Sequence, residues 1–299
     1  MILIADSGST KTDWTLLHRP HPNLAYDIVA TFKTQGITPI HQTAAEIRQI
    51  LEQELLHQFS TFPRSALIQS GGLSTPLFQD LEVFFYGSGC TPAHVPMMVQ
   101  LLSEGLNTKT VEVHSDLMAA ARALCGHESG IACILGTGAN SCLYDGVQIV
   151  QNTPALGFIL GDEGSGSVLG RLFLNAILKR PELSAIRDAF LAEQQLTVDD
   201  IIRKVYREPM ANRFLGSLSP FVSQHLNHPM LRQLVVDNFR QFFRSNIAPY
   251  GRHDLPVHFI GSMANCYPSE LEEAATLEGY TVGTTMKSPI EGLITYHTC

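Results

Sequence analysis

Three segments with glycine and small hydroxyl residues follow short apolar runs. The residue types of the first two suit phosphate groups, and those of the third suit a nucleotide base and ribose. The segments are Asp6-Ser7-Gly8-Ser9-Thr10-Lys11-Thr12, Gly136-Thr137-Gly138-Ala139-Asn140 and Gly261-Ser262-Met263-Ala264. Such residues let backbone N–H groups approach an anion closely, and a lysine adds positive charge. Each segment alone is also compatible with an ordinary turn, and the second is neither a Walker A nor a GxGxxG motif. Their order along the chain predicts two phosphate loops followed by a nucleoside loop.

Carboxylates at two further places could take part in catalysis or binding. Asp116 lies where a predicted strand ends and a helix begins, so it is either a helix N-cap or a general base with a fixed direction. Asp162 and Glu163 are adjacent acids in the glycine-dense segment 160–167, between apolar residues on both sides. They form either a solvated turn or a site that accepts hydrogen bonds from sugar hydroxyls.

The elements that must position these residues alternate between strand and helix patterns. Strands are predicted at residues 2–5, 14–17, 66–68, 83–86, 111–114, 131–135, 141–144 and 257–260. Residues 44–59 place Ile47, Ile50, Leu51, Leu55 and Phe59 on one helical stripe. Residues 117–124 and most of 167–245 are also helical by pattern. A strand–glycine turn–strand unit occurs at residue 6 and again at residue 136, which favours an α/β protein of two similar domains.

Composition restricts the classes of partner. The 299 residues carry a formal net charge of −8, and no basic run indicates nucleic acid or an anionic membrane as a partner. Six widely spaced cysteines without a CxxC pair are typical of reduced thiols. No signal peptide or membrane span is recognisable, so a cytoplasmic location is expected.

The order of these segments resembles that of the N-acetylglucosamine kinases within the BadF/BadG/BcrA/BcrD ATPase family, of the sugar kinase/Hsp70/actin superfamily. The resemblance spans nearly the whole chain, and its most specific parts are residues 135–141 and 160–166. It implies two RNase H-like domains of the actin/hexokinase type flanking a cleft that binds ATP. The expected domains are 1–115, joined by a C-terminal helix at 288–299, and 116–287.

The resemblance also implies a role for each candidate residue in an ATP-dependent kinase acting on the 6-hydroxyl of an amino sugar, with N-acetylglucosamine favoured. Asp6 would hold Mg²⁺, and Asp116 would be the catalytic base. The ATP ligands would be Ser7, Gly8, Ser9, Thr10, Lys11, Thr12, Gly136, Thr137, Gly138, Gly261 and Ser262. The sugar contacts would be Thr38, Asn140, Asp162 and Glu163.

One stretch departs from the family pattern. The family carries Gly-x-Asn-Pro where this chain has Gly36-Ile37-Thr38-Pro39, so Thr38 keeps a hydroxyl but lacks the amide. The departure affects the identity of the sugar more than the class of reaction.

Two alternatives stay open at this point. One is an ATPase that activates a dehydratase through an iron–sulfur cluster, which would need paired thiolates that the spacing of the cysteines does not indicate. The other is a regulator that binds nucleotide or sugar without catalysis. A homodimer is compatible with the sequence.

Overall fold

The computed structural model describes residues 1–19, 25–61 and 81–299. The chain divides into two compact units: unit 1 comprises Met1–Gly126 and Pro289–Cys299, and unit 2 comprises His127–Ser288. The sequence predicts a domain boundary between residues 115 and 116. The helix that begins at Asp116 lies wholly in unit 1, whose first segment ends at Gly126. The strand predicted at 66–68 lies outside the described residues.

Unit 1 contains a five-stranded sheet in the order β3-β2-β1-β4-β5. The strands are β1 (Ile2–Ser7), β2 (Lys11–His18), β3 (Asp27–Gln35), β4 (Glu82–Gly87) and β5 (Thr110–Ser115). β1 runs antiparallel to β2 and parallel to β4, and β4 runs parallel to β5. Ser7 pairs with Gly87 and Gly87 pairs with Ser115, so three parallel strands end in one row. The residues that follow, Gly8, Ser88 and Asp116, therefore leave the sheet at the same edge.

Helices cover this sheet. In unit 1 they are α1 (Ala44–Ile50), a π-helical segment (Leu51–Leu55), α2 (Leu56–Thr61), α3 (Val95–Leu106), α4 (Asp116–Cys125) and α14 (Ile290–Thr298). The stripe predicted over 44–59 is confirmed, because its five apolar side chains are all buried. Thr43 and Glu46 form the capping box that starts α1. The C-terminal helix α14 packs closely on α4, where Gly292 leaves room for the backbone of Ala123.

Unit 2 repeats the sheet of unit 1. Its strands are β6 (Gly130–Leu135), β7 (Ala139–Tyr144), β8 (Ile149–Thr153), β9 (Val257–Ile260) and β10 (Val282–Met286). Their order is β10-β9-β6-β7-β8, with β6 antiparallel to β7 and parallel to β9. The order and strand directions match those of unit 1, so the predicted class of two RNase H-like α/β domains is confirmed.

The helical region predicted over 167–245 is confirmed in unit 2. The helices of this unit are α5 (Gly157–Leu160), α6 (Gly166–Lys179), α7 (Ser184–Gln194), α8 (Val198–Tyr206), α9 (Ala211–Gly216), α10 (Ser219–Gln224), α11 (Pro229–Phe242), α12 (Ser262–Cys266) and α13 (Pro268–Leu277). A π-helical turn (Phe243–Ile247) and short 3₁₀ segments at Pro181–Leu183 and Ala248–Tyr250 complete the unit. None of the helices in the described parts of the chain has the length and apolar character needed to span a bilayer.

Candidate functional site

The first glycine loop of unit 1 connects β1 to β2 and is exposed from Gly8 to Lys11. Gly8 N donates to Lys11 O across the turn at 3.0 Å. Gly36 lies directly against this loop, because a Cβ atom on it would come within 2.3 Å of Gly8 O. Gly36 N also donates to Thr10 O at 3.1 Å. The backbone of the loop is therefore held from one side and exposed on the other.

Two residues predicted as phosphate ligands, Ser7 and Thr12, are buried at the ends of β1 and β2. Their hydroxyl oxygens are 2.6 Å apart. The Ser7 hydroxyl also donates to Ile37 O and accepts from Ile37 N. Lys11, predicted as a third ligand, places its ammonium 2.5 Å from Asp13 Oδ2. The geometry gives Ser7 and Thr12 a supporting position, and their role as ligands stays a prediction.

Asp116 lies close enough to Asp6 in unit 1 for its charge to affect the ionisation of Asp6. Burial, followed by the charges of Asp13 and Asp116, raises the pKa of Asp6 to about 6. Burial also raises the pKa of Asp116. Two carboxylates that are hard to ionise together are typical of a site that receives a cation or a proton.

The interpretation of Asp116 as a helix N-cap is wrong, because Ser115 occupies that position. The Ser115 hydroxyl accepts a hydrogen bond from Met118 N, and Asp116 is the first residue of α4. Asp116 Oδ1 instead accepts from Leu117 N at 2.9 Å. The side chain of Ser88 also interacts with this carboxylate and lowers its pKa against the effect of burial. The direction of Asp116 is therefore set by its own backbone and by Ser88.

Sequence reasoning missed Ser88 as a site residue. The residue lies in the turn Gly87-Ser88-Gly89, immediately after β4. The pairing of β4 with β5 brings this turn beside Asp116. A hydroxyl between glycines at the end of a strand was the signal that could have identified it.

Thr38 is buried next to the same turn. A Cβ atom on Gly89 would lie 3.2 Å from Thr38 Cγ2. Gln42 holds the segment, since its side chain accepts from Thr38 N at 2.7 Å and donates to Gly36 O at 2.9 Å. Thr38 Oγ1 makes no hydrogen bond with any described residue, although it is buried. Unit 1 thus brings together the first loop, Asp6, Thr38 and Asp116.

The second glycine loop, between β6 and β7 of unit 2, is tied to the start of α6. Gly166 N donates to Gly136 O at 2.9 Å, and Ser167 N donates to Thr137 O at 3.1 Å. Gly136 N donates to Gly138 O and closes the turn. The first amides of α6 therefore hold the carbonyl groups of the loop.

The adjacent acids of the 160–167 segment point to different neighbours. Asp162 has a left-handed backbone with φ of 57°, and its carboxylate accepts a hydrogen bond from Ala139 N, directly after the second loop. Burial raises the pKa of Asp162. Glu163 Oε2 accepts from Asn246 Nδ2 at 3.3 Å, in the π-helical turn after α11. Asp162 therefore lies against the second loop, and Glu163 is hydrogen-bonded to the turn after α11.

Asn140 is the second residue of β7, and its amide orientation is fixed by its neighbours. Its Oδ1 accepts from Asn152 Nδ2 at 3.0 Å and from Ser141 N at 2.9 Å. The NH₂ group, which makes no hydrogen bond within the described ranges, is left as a donor. A donor of this kind suits a sugar hydroxyl or carbonyl oxygen.

The third glycine segment packs against the second. Gly261 has a φ of 123°, and a Cβ atom on it would lie 2.3 Å from Leu135 O. Ser262 begins α12 immediately afterwards. A Cβ atom on Gly166 would lie 3.4 Å from Met263 Sδ. Unit 2 therefore brings the second loop, the 160–167 segment and the 261–264 segment to one place.

Gly8 and Gly136 are the first glycines of their loops, and packing requires neither of them. A Cβ atom on Gly8 would come no closer than 3.9 Å to any atom outside its neighbours, and one on Gly136 would meet nothing within 4 Å. Neither residue has a left-handed backbone. The open space beside each loop is where a ligand could approach the backbone.

Comparison with known structures then identifies the family. A protein from Porphyromonas gingivalis, provisionally named an N-acetylglucosamine kinase, is 45% identical over 100% of this chain and 99% of its own, with a TM-score of 0.84. This chain belongs to the N-acetylglucosamine kinase-like family. The family predicted from the sequence is therefore confirmed.

More distant structures share the fold alone. A protein from Chromobacterium violaceum, also provisionally named an N-acetylglucosamine kinase, is 17% identical over 99% of this chain and 98% of its own, with a TM-score of 0.68. A ROK family glucokinase from Streptomyces griseus, in complex with glucose and AMPPNP, is 14% identical over 98% of this chain and 97% of its own, with a TM-score of 0.50. No protein-family model matches the chain, and no curated protein matches it.

Proposed function

We propose that this protein is an ATP-dependent kinase that phosphorylates the 6-hydroxyl of an amino sugar, with N-acetylglucosamine as the favoured substrate. The observation that carries the proposal is the pair of loop glycines, Gly8 and Gly136, which follow matching strands of two matching sheets and face open space. Membership in the N-acetylglucosamine kinase-like family supports the choice of substrate.

The ATP phosphates are assigned to the exposed backbone of both loops. Gly8, Ser9, Thr10 and Lys11 would contribute from unit 1, and the residues from Gly136 to Gly138 would contribute from unit 2. Gly261 and Ser262 would contact the adenosine, since they lie beside the second loop. Ser7 and Thr12 support the first loop from inside the unit.

Asp6 is the proposed site for Mg²⁺, held through water. The residues fit a cation, because burial and then the charges of Asp13 and Asp116 raise the pKa of Asp6, and a positive ion would favour the ionised carboxylate. Mg²⁺ bound there would neutralise charge on the phosphate oxygens during transfer.

Asp116 is proposed as the general base. The sugar O6 would attack the γ-phosphorus, the bond from that phosphorus to the β–γ bridging oxygen would break, and ADP would leave. The proton of the 6-hydroxyl would pass to Asp116, whose direction Ser88 and Leu117 N hold. Its raised pKa makes the carboxylate a better proton acceptor than an exposed aspartate.

The sugar contacts are assigned to Thr38 in unit 1 and to Asn140, Asp162 and Glu163 in unit 2. Thr38 has a buried hydroxyl without a partner among the described residues, and Asn140 presents its NH₂ group. Asp162 lies beside the second loop, and Glu163 is adjacent to it. Each can hydrogen-bond a sugar hydroxyl or an acetamido group.

A coupled ADP-release assay tests the proposal. ATP and Mg²⁺ would be supplied with N-acetylglucosamine, glucosamine, N-acetylmannosamine, muramic acid derivatives or glucose, and phosphorus NMR would locate the new phosphate ester. We expect sugar-dependent ADP release with the phosphate on O6 of an amino sugar. ADP release that no sugar stimulates would contradict the proposal and favour an ATPase or a regulator.

A further inference from the structure

We propose that the Ser7 hydroxyl is a positioning group, which holds the first glycine loop and the Thr38 segment in a fixed relation and does not itself bind phosphate. Its meaning for catalysis rests on the proposed kinase function. The contacts of Ser7 that support this role lie within unit 1 and do not depend on that function.

The hydroxyl of Ser7 joins segments that are far apart in the sequence. Its Oγ is 2.6 Å from Thr12 Oγ1, at the far end of the first loop. It donates to Ile37 O at 3.0 Å and accepts from Ile37 N at 2.9 Å, in the residue between Gly36 and Thr38. One side chain therefore fixes both the base of the loop and the segment with the proposed sugar contact.

The backbone of Ser7 adds a third segment. Ser88 N donates to Ser7 O at 3.0 Å, and the Ser88 side chain interacts in turn with the Asp116 carboxylate. The proposed phosphate loop and sugar contact are thus hydrogen-bonded to Ser7, and the proposed base is linked to it through Ser88. A small shift of reacting groups is costly for catalysis, so such a shared anchor matters for rate.

The same contacts favour a supporting role of the Ser7 side chain over direct phosphate binding. Ser7 is 1% exposed, and its hydroxyl already donates one hydrogen bond and accepts another. Its backbone N–H belongs to the strand that pairs with β2 and β4. The exposed residues that follow, from Gly8 onward, are the ones left to meet a ligand.

Ser7→Ala is the direct test, because it leaves Ile37 N buried without its acceptor. We expect kcat to fall roughly tenfold to a hundredfold and the KM values for ATP and for the sugar to rise together, since both segments lose one anchor. A residue with a merely structural role would lower the unfolding temperature without this joint change.

Thr108→Ala is the matched control. Thr108 is also buried in unit 1, and its hydroxyl donates to Leu81 O at the opposite end of β4. Loss of the Thr108 hydroxyl should lower the unfolding temperature about as much as Ser7→Ala does, while kcat and both KM values stay within about twofold of wild type.

Amide hydrogen exchange gives a readout without activity, so failure of the inference can be told from failure of the proposed function. In Ser7→Ala we expect faster exchange in both 8–12 and 36–38, with the strands β4 and β5 unchanged. If Ser7→Ala does not fold, Ser7→Cys, which keeps the size and a weak donor, should show the same pattern to a smaller extent. Faster exchange in only one segment or in neither, or a change in the KM of only one substrate, would overturn the inference.

Discussion

The carboxylate of Asp162 lies against Gly138 in unit 2, where a Cβ atom on the glycine would be 3.1 Å from Asp162 Oδ2. Ala139 N, the next amide along the chain, donates a hydrogen bond to the same carboxylate. A residue assigned to the sugar therefore also supports a loop assigned to phosphate. Substitutions at this point have to separate the two roles.

Gly136→Ala separates contact with a ligand from packing of the protein. The added methyl group meets no protein atom within 4 Å and the backbone is not left-handed, so the unfolding temperature should be unchanged. ATP affinity measured by calorimetry should fall about tenfold or more, because the methyl group occupies the approach to the loop. Gly138→Val should weaken ATP binding as well, but it also presses on Asp162.

Gly105→Ala in α3 is the control for the two loop variants, Gly136→Ala and Gly138→Val. The added Cβ would make an ordinary contact with Leu51 Cδ1 at 3.6 Å, far along the sequence from either loop. Its ATP affinity should equal that of wild type. Wild-type affinity in Gly136→Ala would remove the second loop from the nucleotide site.

Asp116→Asn should abolish proton transfer and leave the fold intact. General base catalysis contributes about 10²- to 10⁴-fold, so kcat should fall by that order while ATP and sugar affinities change only a few fold. Stability should not decrease, because Ser115 caps α4 and burial already disfavours the charged form of Asp116. Thermal unfolding and steady-state kinetics measure both effects.

Ser115→Ala is the companion variant for Asp116. Loss of the cap should cost about 1 kcal/mol of unfolding free energy, with a smaller effect on kcat than that of Asp116→Asn. A folded Asp116→Asn protein with near wild-type turnover would leave Asp162 or Glu163 as the base to be tested.

Asp6→Asn should stabilise the protein while it inactivates the enzyme. The pKa of Asp6 is about 6 in the folded state against an ordinary value of 3.8, so the folded state binds more protons between these values. Unfolding free energy therefore falls as the pH rises through this window. At pH 7.5 the ionised carboxylate costs at most about 3 kcal/mol, which the amide removes.

Thermal unfolding of Asp6→Asn and wild type at pH 7.5 and at pH 3.5 measures this contribution. The variant should melt higher at pH 7.5, and the difference should become small near pH 3.5, where Asp6 is protonated in the folded state and mostly protonated in the unfolded state. Equal melting temperatures at pH 7.5 would show that the ionised Asp6 carboxylate does not destabilise the folded state. Activity of the variant that still depends on Mg²⁺ as in wild type would place the metal elsewhere.

Thr38→Val tests whether the hydroxyl of Thr38 serves the sugar. The two side chains have nearly the same shape, and Thr38 Oγ1 makes no hydrogen bond within the described part of the chain. The substitution should therefore not lower stability, and the KM for the sugar should rise about fivefold to tenfold from one lost hydrogen bond. An unchanged KM, with unchanged stability, would mean that Thr38 only fills space beside Gly89.

Asp162→Asn should weaken sugar binding with little effect on ATP. The amide oxygen can still accept from Ala139 N, so the support of the second loop is retained. A lost charged hydrogen bond to the sugar is worth about 1.5–3 kcal/mol, which corresponds to a rise in KM of roughly tenfold to a hundredfold. Asp162→Ala, which removes both contacts, should raise the KM for ATP as well as the KM for the sugar. If Asp162→Asn raised the KM for ATP more than the KM for the sugar, Asp162 would belong to the nucleotide site.

Local sequence patterns determined much of this protein. The stripe from Ile47 to Phe59, the strands around residues 6 and 136, and the helical region after residue 166 follow from the periods of apolar residues and from glycine placement. These are properties of neighbouring residues, which the sequence displays directly. The motifs also identified the family, because several of them recur in one order.

Only the tertiary structure decided what each polar side chain does. Ser7 and Ser9 look equivalent in the sequence, yet Ser7 is buried against Ile37 and Ser9 is exposed. Ser88 became a partner of Asp116 because β4 and β5 run parallel and end in the same row. A hydrogen bond depends on the distance between atoms from segments far apart in the chain, and that distance exists only once the sheet has formed.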